Sequence, residues 1–183
     1  MKRTEDSRLT LERWIAEGVL LKSEGTTSVS LARSISSICG YGSEDEKNGE
    51  REVTELSDAI GAYPHLLFIL VDGLGINQQA HFPEGGFFET YLNRTIRSVF
   101  PSTTAAALTS LASAKWPATH AITGWFTHIP KHKTTVVPLR AVERQTEEPI
   151  DEFDIPYSDI MRVESIYPEL ERATDIYTFS QFK

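Results

Sequence analysis

The chain has one cysteine, Cys39, in 183 residues, so it can close no internal disulfide and build no thiolate metal cluster. Long apolar runs are missing too. The longest, Leu66 to Val71, is strand-sized and far short of the ~18 residues that cross a membrane. The stretch from Met1 to Trp14 mixes acids with bases and lacks an apolar centre, which argues against a secretory signal. Together these absences predict a cytoplasmic chain with no membrane partner. Glycine (11) and proline (9) are too few for a low-complexity or collagen-like polymer. Lysine and arginine (18) are outnumbered by acids (26), for a net charge of −8. That balance disfavours a nucleic-acid polymer as partner, because phosphate backbones need a basic surface. No histidine follows His132.

The apolar content of 40% and charged content of 24% are those of an ordinary globular domain. The charge is segregated. Residues 61–140 carry 6 basic and 3 acidic groups and all five histidines, whereas residues 141–183 carry 4 basic and 11 acidic groups. A locally positive segment between acidic flanks suits a small anionic ligand. Chance segregation of surface charge is an equally weighted alternative.

Periodicity organises the chain into two parts. Residues 1–60 read as a helical or irregular extension. It has a helix over 8–21, a helix or irregular segment over 26–39, a charged Gly-containing linker near 40–52 and a short helix over 53–60. Residues 61–183 then change character. The uninterrupted apolar run Leu66–Val71 predicts a strand buried on both faces of a parallel sheet. A short helix over 87–92 and a second strand over 95–100 follow. Residues 103–114 have no charge on any side, which predicts a buried helix. Residues 115–133 read as a long loop, 134–139 as a third strand, 141–160 as an acidic loop, 165–172 as a helix and 174–179 as a fourth strand. Strands alternating with helices predict an α/β fold, a mostly parallel sheet with helices on both faces.

Two places carry candidate chemistry. Asp72 follows the strand Leu66–Val71 directly and precedes Gly73 and Gly75. In open α/β sheets the functional edge lies at the carboxyl ends of the strands. The plainer reading is a turn aspartate. The second place is Phe100-Pro-Ser-Thr-Thr104, where a strand gives way to the uncharged helix. A helix start offers unpaired N–H groups to a phosphate. A threonine hydroxyl there becomes a nucleophile only with help, such as a metal ion. Here the plainer reading is that Ser102 and Thr103 merely cap the helix.

The two places together, with Trp116-Pro-Ala-Thr-His-Ala-Ile-Thr-Gly124, resemble the alkaline phosphatase superfamily. The resemblance is closest to its type I phosphodiesterase/nucleotide pyrophosphatase branch and covers residues 62–130. It implies a metal-dependent phosphoric-ester hydrolase acting on a small anionic phosphoester. Asp72 would be a metal ligand, and Thr104 both a metal ligand and the nucleophile that forms a covalent phosphothreonine. Thr103 is the neighbouring alternative nucleophile. Two divalent ions, usually zinc, serve a complete domain of this kind.

The chain departs from the pattern at several points. Ala114 and Ala121 stand where the family has glycine. Trp125 stands where an asparagine helps hold the phosphate, so Thr103 and Trp125 are the substrate-contact candidates. The Asp-His ligands of the family's second half have no counterpart. Asp151, Asp154, Asp159 and Asp175 read instead as a solvated acidic face. The chain thus looks like the N-terminal half of a catalytic domain, with at most one partial metal site. The alternatives are a non-catalytic remnant of the fold, or a related phosphatase or phosphomutase. Self-association through an open sheet edge is expected in either case. His120 reads as a loop-ordering residue, and His128 and His132 as weaker pocket-lining candidates.

Overall fold

A computed structural model of the chain describes residues 9–10, 12–17, 25–41 and 51–177. Its regular elements are mostly helical. Residues 9–10 and 12–16 are helical, in keeping with the amphipathic pattern there. The remainder of that expected helix and most of the 40–52 linker lie outside the described residues, as do the last residues of the expected 174–179 strand, whose described part, 174–177, forms no strand.

Helix α1 spans Ser28–Ile38 and α2 spans Arg51–Ile60. The first is serine-rich yet regular, because Thr27 and Ser30 close a capping box: the Thr27 hydroxyl accepts from the Ser30 amide at 3.2 Å. Two of its buried serines, Ser34 and Ser36, donate to main-chain carbonyls. The Ser34 hydroxyl lies 2.8 Å from the Ser30 carbonyl oxygen and 2.9 Å from that of Val53 in α2. Small side chains let these two helices approach closely.

A 3-10 turn at Ile76–His81 and the short helix α3, Phe87–Tyr91, follow. Helix α4, Thr104–Ser113, is the uncharged helix, and it packs on α1. Val29 of α1, Ala106 of α4 and Val99 form one buried cluster, and Ala32, Leu111, Ala114 and Ile166 form another. Helix α5, Pro117–His120, leads into β1 (Thr127–Ile129), β2 (Thr134–Val137) and β3 (Val142–Glu143). These three short strands make an antiparallel sheet in the order β1-β2-β3, with Thr127 opposite Val136 and Val136 opposite Glu143. Helix α6 is Tyr157–Ile160. The largest core cluster joins Ala105 of α4 to Ile122, Ile129, Val136, Ile150, Ile155 and Ile160.

The expectation of a mostly parallel α/β sheet is therefore wrong. The fold is mostly helical with one small antiparallel sheet. Leu66–Val71 is neither paired nor buried: all six side chains are exposed. Of the strand expected over 95–100, one parallel bridge remains, Thr27 with Arg97. Residues 134–137 are a strand as expected, but pair with β1 across a tight turn. The physical reason is distance along the chain. A hairpin closes over four residues, whereas a parallel pairing needs a crossover of a dozen or more. Apolar content marks a segment as able to be buried, but does not supply the strands that bury it. Elsewhere, the 165–172 helix is reduced to a 3-10 turn at Tyr167–Glu169, and the expected acidic loop holds β3 and α6.

Candidate functional site

Helix α4 begins where the sequence suggested. Thr103 is its N-cap, and its hydroxyl accepts from the Ala106 amide at 3.4 Å. The same hydroxyl donates to the Thr123 carbonyl at 3.3 Å, tying the 121–124 loop to the helix start. Thr103 is thus occupied twice as a structural residue.

Thr104 is differently placed. It is half-buried, and its hydroxyl donates toward the Asp72 carboxylate, 3.3 Å from Oδ2 and 3.5 Å from Oδ1. These two residues lie 32 positions apart, and the structure brings them into contact. Asp72 reaches across because the chain turns sharply beside it. The Leu74 amide donates back to the Val71 carbonyl at 3.4 Å, and Gly73 at the third turn position has φ 72°. A side chain at that φ would be strained, so glycine suits the position.

Trp125 is partly exposed and lies two residues beyond the carbonyl that Thr103 holds. At ~3.5 Å per residue its Cα is within about 7 Å of that of Thr123. The two alanines at positions where the resemblance expects glycine both adopt the left-handed conformation that glycine favours. Ala114 ends α4 with φ 54°, and Ala121 ends α5 with φ 66°.

His120 is fully buried and works as a structural bridge. Its Nδ1 accepts from the Ile122 amide at 3.1 Å, so the ring proton sits on Nε2 and is donated to the Ser110 hydroxyl 2.9 Å away. Burial holds its pKa below the ordinary histidine value. His128 does no more than approach the Thr135 hydroxyl at 3.4 Å.

One grouping escaped the sequence reading. The Asp159 Oδ2 accepts from His132 Nε2 at 2.7 Å and from Lys131 Nζ at 2.8 Å. Asp159 is half-buried rather than part of a solvated acidic face. Its carboxyl is held below the usual range first by the hydrogen bond from Lys131 and then by that from His132. The 27-residue separation gave no signal of this pairing. Glu143 is also buried, accepting from the Gln145 and Thr146 amides and the Thr134 hydroxyl, which lowers its pKa.

The fit to metal is partial. A catalytic zinc site uses three protein ligands and an open position. Asp72 and Thr104 supply two oxygens, and among the described residues no group of three or more His, Cys, Asp or Glu side chains is placed to hold a metal ion. The residues present therefore do not make a zinc site by themselves. No family model, curated protein or solved structure matches the chain. Among the described residues, no helix is long and apolar enough to cross a membrane.

Proposed function

We propose that this chain carries the nucleophile side of a metal-dependent phosphoric-ester hydrolase, with Thr104 as nucleophile and Asp72 as its partner. The contact between the Thr104 hydroxyl and the Asp72 carboxylate, at the start of an uncharged helix, carries this reading. Asp72 is placed to accept the hydroxyl hydrogen as the oxygen attacks. The Thr104 amide falls outside the helical ladder and would bind a phosphoryl oxygen, while Ala105 behind it is buried in the core. Attack by Oγ1 would form a threonine–phosphorus bond as the ester P–O bond breaks and the alcohol leaves. Water would then release the phosphoryl group. The left-handed Ala114 and Ala121, at positions where the resemblance places glycine, also support the reading.

Charge sets the condition for activity. A phosphate monoanion about 4 Å from Asp72 is repelled by roughly 4 kcal/mol at an effective dielectric near 20. The helix dipole returns only about 0.3–1 kcal/mol. A cation must make up the difference, and the described residues provide at most two of its ligands. That shortage favours a second reading, in which the start of α4 holds a phosphate without turnover.

One experiment separates the two readings. The full chain is incubated with zinc and an aryl phosphodiester, and both aryl alcohol release and intact mass are followed. The enzymatic reading expects release and a phosphoryl adduct that maps to Thr104, both lost in Thr104→Ala and Asp72→Ala. Unchanged release in Thr104→Ala would overturn the nucleophile assignment. Absence of both release and adduct in the unsubstituted chain leaves the non-catalytic reading in its place.

A further inference from the structure

Among the described residues, the run Leu66–Val71 pairs with no strand. Its side chains are 37% to 83% exposed, with Leu67 (83%) and Ile69 (71%) the most open. Among the described residues, no amide of 65–71 donates a backbone hydrogen bond, and the accepting carbonyl is that of Val71, in its own turn. The run contains no charge, proline or glycine. Such a segment, open along both edges, is the pattern that recruits another strand.

We infer that this run is a self-pairing site whose occupant is the same run in further copies of this chain. Its six side chains expose on the order of 600 Å², close to the ~800 Å² that each partner gives a stable interface. Leu74 and Ile76, 38% and 55% exposed, extend the patch. The run offers no charged or hydrogen-bonding side chain that would select a foreign strand, whereas its own copy is apolar at every matching position. A single pairing fills one edge of each strand and leaves the other open. Assembly therefore does not close at a dimer. The inference needs neither Thr104 nor a metal and stands apart from the phosphoester reading.

The test is the mass of the full chain by sedimentation and light scattering over a wide concentration range. The unsubstituted chain is expected to pass from one copy to more than two as concentration rises. Leu67→Lys combined with Ile69→Lys should hold it at one copy with an unchanged circular dichroism spectrum, since both side chains already face solvent. If the lysines disturb folding, an N-methylated peptide of residues 65–71 added to the unsubstituted chain serves instead, and the mass should fall as the edge is capped. A chain that stays single at every concentration overturns the inference. So does assembly that neither the lysines nor the peptide reduces.

Discussion

The two halves of the candidate site rest on unequal supports. Thr104 opens a helix whose next residue, Ala105, is 1% exposed and shares the main core cluster with five later isoleucines. Asp72 follows an apolar run whose residues stay 37% to 83% exposed. Both regions are rich in apolar side chains, and only one has found partners. The contrast shows that hydrophobicity sets how much a segment gains from burial, while topology decides whether it is buried. It also leaves the candidate pair half-anchored, with the hydroxyl on a packed helix and its carboxylate on the more open segment.

The sharpest way to break this comparison is to truncate the same residue type in both regions. Ile122→Ala should cost about 2–5 kcal/mol, because it opens a cavity in the main core. Ile69→Ala should stay within about 0.5 kcal/mol, as exposed substitutions do. Denaturant unfolding measures both, and equal losses would mean that the run is buried after all.

Acid should strike the supported region next. His120 is neutral in the folded chain with its pKa below 6.5, so the unfolded chain binds the extra proton. Stability is therefore full above pH 6.5 and is lost as pH falls through the range down to the folded value. Glu143 and Asp159, both lowered, add further loss once pH drops below their ordinary carboxyl values. Unfolding midpoints measured across pH should show the first decline in the unsubstituted chain but not in His120→Gln.

Smaller effects sharpen the division between the two threonines. Thr103→Ala should cost about 1 kcal/mol through loss of the helix cap. Thr104→Ala should change stability by less than about 0.5 kcal/mol, since its bond to Asp72 is long and exposed. Thermal unfolding of the two variants tests this order, and a reversal would make Thr104 the structural residue. The smallest expected changes are gains. Ala114→Gly and Ala121→Gly should each stabilise by roughly 0.5–1 kcal/mol, by relieving left-handed backbone.

Local signals in the sequence read well. The cap at Thr103, the uncharged helix after it and the turn at Asp72-Gly73 are set by neighbours within four residues, and each is present. The helix over residues 53–60 and the short one near Phe87 were also legible from spacing. The sheet was not. A continuous apolar run and a buried parallel strand look alike in sequence, because the pattern records solubility and not partners. The Lys131–Asp159–His132 grouping was hidden for a related reason: its members come from different elements with no shared period.

The amino-acid sequence by itself determined where this chain turns, where α4 starts and that a carboxylate sits at a glycine turn and a hydroxyl at a helix start. These follow from backbone sterics and orphan amides, which act over a few residues. Only the tertiary structure decided that Asp72 meets Thr104 rather than Thr103, that β2 pairs with a near neighbour, and that Leu66–Val71 stands open. Those outcomes depend on which distant surfaces meet, and contact across dozens of residues is fixed by packing, not by local preference.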